Sequence, residues 1–133
     1  MNDTLILVGR VLIAMVFLMT VWTFSPTAGY LGALGFPAPT QMSWLAMAAE
    51  FLIVISFVLG AWTRYGALLG IVYVIIAAGS AHRYWEYPQA QQLVQYIFFS
   101  KDVTILGGLI LLYVTGAGAY SVDHMWPGKR GSK

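Results

Sequence analysis

Leu93-Val94-Gln95-Tyr96-Ile97-Phe98-Phe99-Ser100-Lys101-Asp102-Val103-Thr104-Ile105-Leu106-Gly107-Gly108-Leu109-Ile110-Leu111-Leu112-Tyr113-Val114-Thr115 can be read in two ways, and the choice decides the architecture. Begun at Val103, the apolar run is about 13 residues and falls short of the roughly 20 that a helix needs to cross a hydrocarbon core about 30 Å thick. Begun at Leu93, it is about 23 residues and crosses with some tilt, but it then carries Lys101 and Asp102 inside. The longer reading completes a set, because stretches at 5–24, 42–61 and 65–81 meet the same length requirement. The sequence therefore predicts an all-α integral membrane four-helix bundle, with transmembrane helices at 5–24, 42–61, 65–81 and 93–115 and a single domain over 1–133.

Composition leads to the same solvent. The 133 residues are 59% hydrophobic and 9% charged, against roughly 25% charged in an ordinary soluble domain. Such a chain has too little polar surface to cover itself in water, so the lipid bilayer is its expected surrounding. The net charge of +2 comes from seven basic and five acidic residues, dispersed along the chain, which excludes a nucleic-acid surface. The absence of cysteine excludes disulfides, thiolate metal sites and thiolate-held iron–sulfur clusters. The first span differs from a secretory signal: Met1-Asn2-Asp3-Thr4 lacks positive charge, Arg10 interrupts the apolar run, and three more spans follow.

An even number of spans puts both termini on one side. That side collects Arg10, Arg64 in the short second turn, and Lys129, Arg130 and Lys133, whereas the other has Arg83 and Lys101. The positive-inside bias then places both termini in the cytoplasm. Trp22, Trp44, Trp62, Trp85 and Trp126 fall at or near span limits, where an amphipathic indole prefers to sit. The first outer loop, about 25–39, mixes Gly and Pro with apolar side chains and is expected to lie against headgroups or cap the bundle. Only Trp62, Thr63 and Arg64 separate spans two and three, forcing a tight hairpin.

The buried charges are the candidates for chemistry. Counting from the outer boundary at 1.5 Å per residue, Glu50 lies about 12 Å deep and Lys101 and Asp102 about 12 to 14 Å deep, so the three share one level. A charge facing lipid there costs at least about 2.5 kcal/mol, so the three should face the bundle interior, with Lys101 paired to Glu50 or Asp102. They form either a ligand or proton site or a salt bridge that fixes helix register. Because successive positions differ by about 100°, Lys101 and Asp102 cannot both point at the axis. Arg10, about 7 Å inside the inner boundary, is expected to reach headgroups by snorkelling. Arg64 is read as an interfacial charge.

His82 ends span three beside Arg83, Trp85 and Tyr87. A histidine, a cation and aromatics at an interface can hold a quinone headgroup or relay a proton, and they also suit an interfacial belt. His124 lies on the opposite side, so a metal or haem site is not expected. No Ser/His/Asp set, phosphate loop or paired-carboxylate site is legible, and no catalytic residues are assigned. Gly66 and Gly70, and the Gly107-Gly108 notch, suit close helix packing.

Taken in order, several motifs resemble the DoxX family of small four-helix bacterial membrane proteins. They are Gly9-Arg10 in the first span, Gly35-Phe36-Pro37-Ala38-Pro39 before the second, Glu50 within it, and Leu59-Gly60-Ala61-Trp62-Thr63-Arg64 at the hairpin. His82 follows the third span, Lys101-Asp102 and Gly107-Gly108 lie in the fourth, and Gly116-Ala117-Gly118-Ala119-Tyr120-Ser121-Val122-Asp123 is similar to the family's Gly-rich turn and Ser-Leu-Asp ending. Asp102 stands where relatives often carry Asn, and Thr20-Val21-Trp22-Thr23 replaces a Gly and Lys common near the end of their first span. The resemblance implies a multi-pass protein of the bacterial inner membrane, with relatives linked to sulfur-compound oxidation feeding quinone or to membrane redox and detoxification complexes. Eukaryotic relatives of similar shape act as cargo receptors or assembly chaperones.

The leading expectation is an accessory subunit of a quinone-linked redox complex, with a quinone or bound lipid at Glu50, Lys101, Asp102 and His82. Other membrane or redox subunits, or further copies of the chain, are the expected partners. Without thiolates or a pair of axial histidines, electrons would have to come from a partner's cofactor. One rival is a structural or assembly subunit without catalytic activity. A second is a small transporter that relays through the buried charges.

Overall fold

The computed structural model describes residues 2–24 and 28–126. Four long helices carry the bundle: α1 (Asn2–Phe24), α3 (Pro39–Leu59), α4 (Thr63–Ala81) and α5 (Gln89–Thr115), with short α2 (Ala28–Ala33) and α6 (Val122–Met125) at opposite ends. All four long helices are long and apolar enough to cross a membrane, and at most 28% of each apolar stretch is buried within the protein. The remaining apolar surface faces outward, as a bilayer requires. Asp3 accepts a hydrogen bond from the Ala119 amide at 2.9 Å, which fixes the start of α1 and the segment after α5 at one end of the bundle. We call this the shared end and the opposite one the far end. Lys129, Arg130 and Lys133, counted above for orientation, lie outside the described residues.

The helix limits follow local chemistry. Pro39 opens α3 at a position where its missing N–H is no loss. Gly60 ends α3 in the left-handed region at φ 66°, and its N–H bonds the Ser56 carbonyl. Gly116, at φ 74°, closes α5. The longer reading of the fourth span holds, and α5 in fact begins four residues before Leu93. Gln89, Ala90, Gln91 and Gln92 lack an apolar signal but are good helix formers, and Gln91 and Gln92 donate to the Pro88 carbonyl. Its 27 residues extend about 40 Å, longer than the hydrocarbon core.

α1 packs on α3 and α5, α3 on α4, and α4 most extensively on α5. Ala14, Phe17, Ile53, Phe57, Ala67, Val74, Leu109 and Leu112 form the apolar core. Small residues set the approach. A Cβ on Gly70 would sit 3.1 Å from Leu109 and one on Gly108 3.3 Å from Ile13, while one on Gly66 would overlap Ser56. Gly107 differs, since a Cβ there meets nothing within 4 Å. α2 packs on α3 and buries Leu31, so this apolar helix caps the far end.

Candidate functional site

At the shared end Arg10 is 2% exposed. Its Nη1 donates to the Ala117 carbonyl at 2.7 Å and its Nη2 to the Tyr120 carbonyl at 2.9 Å. This corrects the expected snorkelling: the side chain leans toward the membrane surface as anticipated, but carbonyls of the Gly-rich turn meet it before headgroups can. Gly60 lies so close that a Cβ there would overlap the guanidinium.

Asp123 caps α4 from across the bundle, accepting from the Trp62 amide at 2.7 Å and the Thr63 amide at 2.9 Å. A carboxylate there satisfies two of the helix's first N–H groups and complements its dipole. Ser121 opens α6 in turn by accepting from the His124 amide at 3.2 Å. Arg64 is exposed beside this clasp, with Nη2 3.4 Å from the Val114 carbonyl. A cleft of about 810 Å³ opens there among Arg64, Tyr65, Tyr113, Asp3 and His124.

In the middle of the bundle Glu50, 2% exposed, accepts a 2.6 Å hydrogen bond from the Tyr73 hydroxyl. Thr20 lies against the same carboxyl from α1, and Phe17 packs edge-on to the Tyr73 ring at 6.0 Å. Glu50 Oε2 has no hydrogen-bond partner among the described residues.

Nearer the far end Asp102 is 7% exposed and holds Oδ2 3.9 Å from His82 Nε2. His82 Nδ1 is 3.0 Å from Gln95 Oε1, and its ring lies 5.2 Å from that of Phe98. Asp102 Oδ2 also lacks a hydrogen-bond partner among the described residues. An aromatic layer borders this site, in which Tyr84 meets Trp85, Tyr96 and Phe99 at 5.1, 5.3 and 5.7 Å. Tyr30 of α2 belongs to the same end: burial pushes its phenol above the usual range, and Tyr87 and Asp102 act in the same direction.

The expected ion pair from Lys101 to Glu50 or Asp102 is not made. Lys101 is exposed on the outer face of α5, with Nζ 5.0 Å from the Phe98 ring centre. The 100° separation explains the choice, since Asp102 takes the inward direction and turns its neighbour out. Nor do the three charges share one level. Glu50 stands nine residues from the end of α3 and Asp102 thirteen from the end of α5, which puts Asp102 about 6 Å nearer the far end. The expected cluster is therefore two centres: Glu50 with Tyr73, and Asp102 with His82 and Gln95.

Tyr73, Gln95, Asp3 and Asp123 were not anticipated. Tyr73 did carry a signal, because a phenol in the middle of a span needs a hydrogen-bond partner inside it. Gln95 also sits within the predicted fourth span, two turns from Asp102. Asp3 and Asp123 have no such mark, since each contact joins the ends of the chain to distant backbone.

These features define a small multi-pass membrane bundle, clasped at one end by Arg10 and two aspartates and carrying buried carboxyls toward the other. The DoxX profile matches residues 5–83. The chain belongs to the DoxX family. It is similar to the inner membrane protein YphA of Escherichia coli, 33% identical over 127 residues that cover 92% of this chain and 91% of that protein. Similarity extends to the inner membrane protein YqjF of the same organism, 30% identical with 94% of each chain covered. The ER-derived vesicles protein ERV29 of Saccharomyces cerevisiae is 28% identical over 90% of this chain but only 33% of its own length. No solved structure matches. Together with the four spans, these relatives identify a multi-pass inner-membrane protein.

Proposed function

We propose that the chain is an accessory subunit of a quinone-linked redox complex, which holds a quinone headgroup at its far end. The observation that carries this reading is His82, held between Gln95 and Asp102 against the Phe98 ring. Quinone carbonyls need hydrogen-bond donors and a flat apolar neighbour. His82 and Gln95 offer the first, and Phe98 and the Tyr84 layer offer the second. Glu50 stands deeper as a reserve acid. The quinone supplies two-electron redox chemistry when bound, and a partner's cofactor supplies the electrons, because the chain has neither thiolates nor paired axial histidines. In the orientation favoured by the positive-inside bias, this site faces away from the cytoplasm.

Gentle purification from native membranes, with mass spectrometry of the co-eluting proteins and extracted lipids, tests this reading. A stoichiometric redox protein and enriched quinone are expected, with quinone lost in His82→Ala. A redox-unrelated complex without quinone would overturn it. That outcome would favour the second reading, an assembly subunit, which the clasp supports: Arg10, Asp3 and Asp123 all bond to backbone and tie α1, the turn after α5 and the start of α4 together.

A further inference from the structure

Two carboxyl oxygens in this bundle, Glu50 Oε2 and Asp102 Oδ2, are buried without hydrogen-bond partners among the described residues. A buried carboxyl oxygen that nothing donates to is costly, because it has given up water without replacing it. Buried waters serve such groups, making about three hydrogen bonds each to otherwise unsatisfied polar atoms. The surrounding groups are few. Tyr73 and Thr20 face Glu50; His82 faces Asp102, and Lys101 acts on it from the outer side of α5. The two orphaned oxygens both lie in the interior, offset by about 6 Å along the bundle axis. At the outer limit of this row, the His82 side chain is 21% exposed.

We infer that His82, Asp102 and the Glu50–Tyr73 pair form a proton half-path from the far end to the middle of the bundle. His82, partly exposed at the rim, is the group of this row that meets a proton from outside. Imidazolium Nε2–H passes it to Asp102 Oδ2 across the 3.9 Å gap, which a ring movement or one water closes. Asp102 Oδ2–H then donates to a short file of buried water, whose inner member releases a proton to Glu50 Oε2. One proton enters at His82, one is stored on Glu50, the water is regenerated and no electron moves. Tyr73 holds Glu50 Oε1 throughout and fixes the direction in which Oε2 points. The path stands on this geometry alone and does not need the quinone reading.

Time-resolved infrared spectroscopy of the full chain in nanodiscs, after a pH jump and without added quinone, tests it. The Glu50 carboxyl band is identified by its loss in Glu50→Gln. His82→Gln is expected to slow the response of that band about a hundredfold, the size of effect that a positioned proton donor supplies. Asp102→Asn should do the same, while Tyr113→Phe, at the shared end, leaves the rate unchanged. His82 lies at the rim, so its variant decides the matter even if Asp102→Asn fails to fold. An unslowed response in His82→Gln, equal slowing in Tyr113→Phe, or no band lost in Glu50→Gln would each overturn the inference. Because no quinone is present, failure here would leave the co-purification result untouched.

Discussion

Arg10 gives the sharpest test of how the shared end is held together. Its guanidinium makes two charge-assisted bonds, at 2.7 Å to the Ala117 carbonyl and 2.9 Å to that of Tyr120, each worth roughly 1.5 to 3 kcal/mol. The two acceptors respond differently when the guanidinium is removed. Tyr120 is exposed and its carbonyl can turn to water, whereas Ala117 is buried and its carbonyl would stay unpaired. Arg10→Met removes both bonds but also the penalty of burying the ion, so the net loss reduces to that one carbonyl and a packing defect, about 2 kcal/mol. Arg10→Lys keeps the burial penalty, and a single ammonium cannot reproduce a fork aimed at two carbonyls, so it should lose about 3 kcal/mol. The charge-conserving variant is thus expected to be the worse one. Equilibrium unfolding of the purified protein in mixed detergent micelles, monitored by circular dichroism, measures the order. If lysine lies within about 0.5 kcal/mol of the parent, the side chain serves headgroups and not the turn, and the reasoning fails.

Gly60→Ala should destabilise by more than about 3 kcal/mol, because a left-handed residue would gain a Cβ that overlaps Arg10; Gly107→Ala, which meets open space, should stay within about 0.5 kcal/mol in the same assay. Asp123→Asn removes the charge and leaves one acceptor for two amides, for a loss of about 1 to 2 kcal/mol, visible as faster hydrogen exchange at Trp62 and Thr63. Tyr73→Phe strands Glu50 Oε1 and should lower stability by about 1 to 3 kcal/mol, while Glu50→Gln, whose amide oxygen still accepts from Tyr73, should lose less; the reverse order in thermal unfolding would contradict the pairing.

The helices were legible because the bilayer leaves the backbone no alternative: an apolar run of the right length must satisfy its own hydrogen bonds and therefore coils. The fourth span was readable even through Lys101-Asp102, since only the longer run could cross. Side-chain direction was harder. Spacing along α5 shows that Lys101 and Asp102 diverge, but not which one faces inward; that depends on where α4 packs, since Tyr73 lies on α4 and His82 at its end. Depth failed for a related reason. Boundaries drawn from apolar runs place Glu50 and Asp102 at one level, whereas the helices are aligned by the shared-end clasp, from which α5 rises farther. Arg10 was placed correctly in direction and wrongly in partner, because its partners are carbonyls more than a hundred residues away, and a carbonyl leaves no mark in the residue alphabet.

The two ends use their buried polar groups in different ways. At the shared end the charged atoms meet backbone: both carboxylate oxygens of Asp123 accept amides, and both terminal nitrogens of Arg10 find carbonyls. The atoms left over there, Arg10 Nε and Thr63 Oγ1, are donor groups within otherwise bonded or neutral side chains. From the middle toward the far end, the unsatisfied buried atoms on the bundle's inner row are carboxyl oxygens, strong acceptors that no lysine or arginine among the described residues bonds. A register device needs the first arrangement, because a salt bridge or cap fixes position only when its partners are both present. Oxygens left open along a row toward a partly exposed histidine fix nothing by themselves and gain a purpose only if something mobile donates to them. The physical division therefore runs along the bundle axis, with the clasp holding the fold and the Glu50 to His82 row free to exchange protons.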